Sequence, residues 1–163
     1  PMYIDCLIKS IKESWKKKEK SQKLIFSYHG LPKKYLLKGD PYHCFCQKTT
    51  RLVAEKMKLK EKDYITTFQS RFGPDEWLTP YTNKTLENLP KKGIKKIHIL
   101  SPGFSSDCLE TIEELEQENK KIFLAAGGKK YYYIPCLNND HLHIKLLSEL
   151  ILKHTRGWTE NLN

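Results

Sequence analysis

Four short runs of β-branched and aromatic residues alternate with four longer stretches of helical periodicity, and that alternation confines the chain to a small set of folds. The runs are Leu24-Ile25-Phe26-Ser27-Tyr28, Tyr64-Ile65-Thr66-Thr67-Phe68, Ile97-His98-Ile99-Leu100 and Tyr131-Tyr132-Tyr133-Ile134, each of strand length and strand composition. Helices are expected near 43–60, 82–91, 107–126 and 139–154, with Gly127-Gly128 as a stop and Asp107-x-x-Glu110 as a capping-box pattern. Parallel neighbours need right-handed crossovers, so the pattern predicts an α/β fold in which a four-stranded parallel sheet is flanked by helices on both faces. Ahead of the sheet, residues 3–19 place Tyr3, Ile4, Leu7, Ile8, Ile11 and Trp15 on one helical face that needs a cover.

In open parallel sheets ligands bind beyond the carboxyl ends of the strands. That rule gathers residues 28–32, 69–74, 102–107 and 135–138 at one rim, and the residues able to do chemistry fall among them. His29 ends the first strand in a Gly-Leu-Pro turn. Such a histidine serves as base, acid or ligand near neutral pH, or simply bonds its own turn. Glu110, Glu114 and Glu118 repeat at i, i+4 and i+8 on one helix face, where like charges repel unless a cation lies between them. Helix capping accounts for Asp107 and is open for Glu110, whereas Glu114 and Glu118 lie too deep to gain from the dipole and are either a solvated face or a path for protons or metal. His29 opposite Glu110 offers nitrogen and oxygen donors to a divalent metal without the four close ligands of a structural zinc site, so a bound metal would be a passing one. Phe72, Trp77 and Tyr81 form either a platform for a flat ligand or a loop pinned to the core by its own tryptophan. Cys44 and Cys46 share no helix face and are read as ordinary thiols, and His141 and His143, at the same i, i+2 spacing, are read as flanking the start of the last helix.

Composition narrows the partners. The net charge is +10, yet only Arg51, Arg71 and Arg156 of the 29 basic residues are arginine, which argues against a surface for bidentate reading of phosphates or bases, and so against nucleic acid. No apolar run approaches the roughly 18 residues of a membrane span, and residues 1–20 lack a secretory signal pattern, so membrane contact is expected to be peripheral at most. Five cysteines without paired spacing suggest reduced thiols and a cytoplasmic setting.

Phe26-Ser27-Tyr28-His29-Gly30-Leu31-Pro32, Gly39-Asp40-Pro41-Tyr42, Gln69-Ser70-Arg71-Phe72-Gly73-Pro74 with Trp77-Leu78 and Pro80-Tyr81-Thr82, Pro102-Gly103-Phe104-Ser105-Ser106-Asp107-Cys108-Leu109-Glu110-Thr111, and Tyr133-Ile134-Pro135-Cys136-Leu137-Asn138 together resemble the ferrochelatases, in their bacterial form. The resemblance runs from about residue 23 to the end and covers only the carboxyl-terminal half of that family. It implies that 1–22 is an amphipathic helix continuing from a missing amino-terminal domain and that 23–163 is a carboxyl-terminal chelatase domain. The implied activity is insertion of Fe²⁺ into protoporphyrin IX to give protohaem, with both as substrates and no tightly bound cofactor. His29 and Glu110 match the family's iron-binding pair. Glu114 and Glu118 match its acidic line, along a helix often widened into a π-type turn, and with Asp107 they are expected to form a relay for protons or metal. Trp77, Tyr28, Ser70 and Phe72 match positions near the macrocycle. Cys108 stands where some members carry histidine and is assigned no role. No cysteine follows Cys136, so the iron–sulfur cluster of some relatives is not expected. The alternatives are a cobalt or nickel chelatase of a related tetrapyrrole, and an isolated non-catalytic domain that binds metal or porphyrin.

Overall fold

In the computed structural model, which describes residues 2–158, all four runs pair in one parallel sheet of order β2-β1-β3-β4. The strands are β1 (Lys23–His29), β2 (Tyr64–Gln69), β3 (Lys96–Leu100) and β4 (Lys130–Tyr133). Helices α1 (Met2–Lys17), α2 (Lys33–Leu37) and α3 (Tyr42–Lys56) precede β2, and α4 (Thr82–Asn88) precedes β3. The helix expected over 107–126 begins as a π-helix, Glu110–Glu118, the widened winding that the resemblance implies, and runs into α5 (Asn119–Ala125); α6 (His141–His154) follows β4. The expectations for residue 1 and residues 159–163 fall outside the described residues.

Strand side chains alternate between faces. Leu24, Phe26 and Tyr28 join Phe68, Leu100 and Ile134 in a core closed by Ile4, Leu7, Ile8 and Ile11 of α1 and by Val53 of α3. Ile25, Ile97, Ile99 and Tyr131 face the other way, against Leu86 of α4, Leu115 of the π-helix and Phe123 of α5. The apolar face of α1 is therefore covered by this sheet, and residues 2–17 share a core with the strands. Burying a side chain such as Phe26 fully contributes about 1.5–3 kcal/mol, so both layers are needed.

The chain leaves β1 through α3 on one face and β3 through the π-helix on the other, although β1 and β3 are neighbours. That reversal opens a crevice at their carboxyl ends, between His29 and the segment 101–107.

His98 lies in the middle of this sheet with no exposed surface and with both ring nitrogens unpaired, its ring 4.8 Å from Tyr132 and 6.3 Å from Trp15. Burial pushes its pKa down to about 4, because the charged form is poorly solvated there. The folded value lies below the unfolded one, so this group's contribution is intact above pH 6.5 and is lost as the pH falls toward 4. On the order of 3 kcal/mol is expected to go across that window. Urea unfolding from pH 8 to 4 checks this. His98→Phe should flatten the acid limb, and an unchanged slope would rule out His98 as its source.

Candidate active site

His29 is held from two sides. Its backbone carbonyl accepts a hydrogen bond from the Tyr42 hydroxyl at 2.8 Å, and its Nδ1 lies 2.7 Å from the carbonyl of Gly30. A carbonyl only accepts, so Nδ1 carries a proton, and in the neutral ring Nε2 is the nitrogen that keeps its lone pair. The ring is half-buried, with Trp77 at 6.2 Å and Phe104 at 6.3 Å between centroids. Gly30 is required for that approach: a Cβ there would sit 2.9 Å from the carbonyl oxygen of Gln69 and 2.9 Å from the Trp77 ring.

Glu110 opens the π-helix on the other side of the crevice. Its carboxyl lies below the usual carboxylate range, first through a hydrogen bond from the Cys108 thiol, then through its own backbone N–H against a smaller opposing effect of burial, with proximity to His29 adding a further pull. Cys108 is the residue that reading by motif left without a role. The geometry makes it Glu110's neighbour, and burial followed by this bond pushes its thiol up.

A cavity of about 780 Å³ opens between the π-helix and the loop after β2, with Glu110, Glu113, Glu114 and Glu118 in its wall beside Arg71 and Phe72. Glu110, Glu114 and Glu118, spaced four apart in the sequence, thus share one wall, and Glu113 joins them there. Its members are not equivalent. Glu114 accepts hydrogen bonds from Ser70 N (2.7 Å) and Ser70 Oγ (2.6 Å), so it is tied to the end of β2. Ser70 makes these bonds from a left-handed backbone conformation, φ 61°. Its polar groups are therefore engaged by Glu114, where a ligand contact was expected.

Three further expectations are corrected. Asp107 does not cap the helix and does not join the acid line. Its carboxylate accepts from Tyr133 OH (2.6 Å), Asn138 Nδ2 (2.7 Å), Thr111 Oγ1 (3.1 Å) and Cys136 N (3.2 Å), so it fastens the π-helix to the segment after β4. Burial works to raise its pKa, but these donors outweigh it and the carboxyl lies below its ordinary value. Tyr28 is 3 % exposed and faces the α3 side, its hydroxyl 3.0 Å from Thr50 Oγ1. Strand alternation turns it away from the layer that holds the π-helix. Trp77 is 4 % exposed, lying beneath Phe72 at 5.1 Å, so it supports His29 from below. The exposed aromatic of that loop is Phe72, at 74 %.

Among the described residues no three His, Cys, Asp or Glu side chains gather into a chelating group. His29 Nε2 and the Glu110 carboxylate are the donors at the crevice, a set suited to handing a metal on rather than keeping it. No helix of the described residues is long and apolar enough to cross a membrane.

Comparison with known proteins gives one family. Its model, described as ferrochelatase, matches residues 1–155. The chain is 53% identical over 158 residues to the ferrochelatase of Marinobacter nauticus, and 55% identical over 156 residues to that of Pseudoalteromonas atlantica. That of Nitrosococcus oceani is 50% identical over 158 residues. These alignments cover 97%, 96% and 97% of this chain, but each covers 43% of the relative. The chain thus spans less than half the length of the curated relatives it matches.

Proposed function

Because this chain belongs to the ferrochelatase family, we propose that it supplies the metal-handling half of an enzyme that inserts Fe²⁺ into protoporphyrin IX to form protohaem. The observation that carries the reading is the pairing of a histidine bearing a free Nε2 lone pair with a carboxylate held ionised across one crevice. An acid-lined cavity leads to that carboxylate from outside.

Metallation removes two pyrrole N–H protons and replaces them with one Fe²⁺. The ion must shed water while the ring nitrogens turn their lone pairs toward it. His29 Nε2 accepts a pyrrole proton or takes the first coordination position, and Glu110 supplies the opposite charge across the ring. Glu118 and Glu113 line the route for cation or protons, while Glu114 braces it. Bending of the macrocycle is strain drawn from contacts remote from the metal. Phe72, exposed at the cavity's lip, is the aromatic placed to meet a flat ring.

Iron here is substrate and no resident cofactor is proposed. A cytoplasmic setting and a second domain that closes over the macrocycle complete the proposal, the latter supported by the 43% share of the relatives' length.

The test is anaerobic metallation of protoporphyrin, followed by loss of porphyrin fluorescence, with this chain alone and with the remainder of the polypeptide added. Recovery of turnover only on addition is the expected result. Silence in both mixtures, with the protein folded, would overturn the reading in favour of another tetrapyrrole or a non-catalytic role.

A further inference from the structure

The site rests on a layer of buried polar side chains that metal chemistry does not call for. At the carboxyl ends of β1, β2 and β3, on the face toward the π-helix, Ser27, Thr67, Gln69 and Ser101 occupy positions where apolar residues would pack as well. Thr82 of α4 joins them, and none of the five is more than 4 % exposed. Ser101 Oγ donates to the backbone carbonyl of Ser27 at 2.7 Å, and Ser27 Oγ donates to Gln69 Oε1 at 2.7 Å. Thr82 Oγ1 lies 2.8 Å from Ser27 Oγ and 2.9 Å from Thr67 Oγ1. A network this dry is stabilising only when its members are satisfied, and it then holds one geometry.

Its outlet is the π-helix. Gln69 Nε2 lies 2.7 Å from the backbone carbonyl of Glu110 and 3.4 Å from Glu114 Oε2. A carbonyl only accepts, so the amide must present its nitrogen to Glu110 and its oxygen to Ser27. The next residue, Ser70, binds the Glu114 carboxylate through backbone and hydroxyl. Two successive residues at the end of β2 thus hold two points of the π-helix one turn apart. We propose that Gln69 is a positioning residue of the metal-inserting site: its carboxamide transmits the rigidity of the sheet to the backbone at Glu110 and so sets where that carboxylate stands relative to His29. This rests on the functional reading above for its catalytic consequence, but not for its structural one.

The geometry carries the inference because π-helical turns are rare and easily relax toward α-helical ones. A tertiary donor on the first carbonyl of the segment biases that choice. Relaxation would rotate Glu110 and its successors about the helix axis. Misplacement of a reacting group by about 1 Å can cost 10²-fold in rate.

Gln69→Met keeps volume and removes the side chain's hydrogen bonds to Ser27, Glu110 and Glu114. In the full-length protein we expect its kcat for Fe²⁺ insertion to fall about 10- to 100-fold, with KM for porphyrin within about twofold. Amide exchange over residues 110–118 should speed up relative to α6, since local opening is set by local bonds. Ser27→Ala, which leaves Gln69 in place but frees its oxygen, should show the same pattern to a smaller degree and serves if Gln69→Met does not fold. Thr67→Val is the control: it removes a buried hydroxyl of the same layer that does not touch the π-helix, and should lower Tm while leaving kcat within about threefold. Unchanged exchange over 110–118 in Gln69→Met overturns the proposal, as does an equal loss of kcat in Thr67→Val. If the wild-type protein does not metallate at all, the functional reading fails, and the exchange comparison alone decides the role of Gln69.

Discussion

His29→Ala is expected to lower iron insertion by about 10²- to 10⁴-fold, the usual share of a positioned acid–base group. The loss should fall on kcat, because the side chain acts on the reacting nitrogens and contributes little to holding the macrocycle. No other histidine of the chain is placed to substitute. His98 is buried in the core, and His43 lies on α3 against Phe68. His143 is held by Ser105 Oγ at 2.9 Å and the Asn138 carbonyl at 2.8 Å, while His141 and His154 are the two end residues of α6. Added imidazole should restore part of the activity, since removal of the ring leaves a gap beside Trp77 and Phe104. Single-turnover metallation under anaerobic conditions measures this. Activity of His29→Ala within about threefold of wild type would remove the histidine from the mechanism.

The second large effect is on stability. Asp107→Ala should cost about 3 kcal/mol, because four donors on three segments lose a common ionised acceptor and the Tyr133 hydroxyl and Asn138 amide are left half-buried without one. Asp107→Asn keeps one acceptor oxygen and should cost less. The folded pKa of Asp107 lies below its unfolded value, so its contribution is present at neutral pH and is lost as the pH drops below the ordinary carboxylate range. Urea unfolding at pH 7 reads the difference directly. A midpoint for Asp107→Ala equal to that of wild type would show that the cluster is held together by its neighbours. Since this cluster fastens the π-helix to the chain after β4, the same variant should also loosen the acid line, and its metallation should fall more steeply with temperature than that of wild type.

Much of the candidate site was legible before any coordinates. The rule that parallel strands present ligands at their carboxyl ends drew attention to His29, and the spacing of four drew attention to Glu110, whereas the strand order β2-β1-β3-β4 that opens a crevice between them comes from the structure. The acid line was legible as a spacing of four. Its chemistry was not, because a spacing does not say which carboxylate is engaged: Glu114 is tied down by Ser70, a residue 44 positions away. Asp107 followed by Glu110 has the pattern of a helix cap, yet Tyr133 and Asn138 take the aspartate instead. Local capping contributes about 1 kcal/mol, and a charge-assisted cluster from three segments outweighs it.

Trp77 and Tyr28 make the same point for aromatic residues. Both sit in motifs beside His29, and adjacency in sequence invites a shared role. Alternation in β1 sends Tyr28 to the α3 side, and the loop after β2 folds Trp77 under Phe72. Gln69 was in view as part of a motif, but nothing in its neighbours marks it as the residue that reaches the Glu110 carbonyl.

The sequence by itself determined the four strands, the longer helices, the parallel sense of the sheet and the rim at which chemistry collects, because hydrophobic periodicity and turn residues are local properties of the chain, whereas the short α2 and the face each helix covers came from the structure. Only the tertiary structure decided where the π-helical winding begins and ends, which acids are free and which are bound, and which aromatics are floor and which are lip. Those outcomes depend on hydrogen bonds and packing between segments tens of residues apart, where the partner of each group is set by the whole fold.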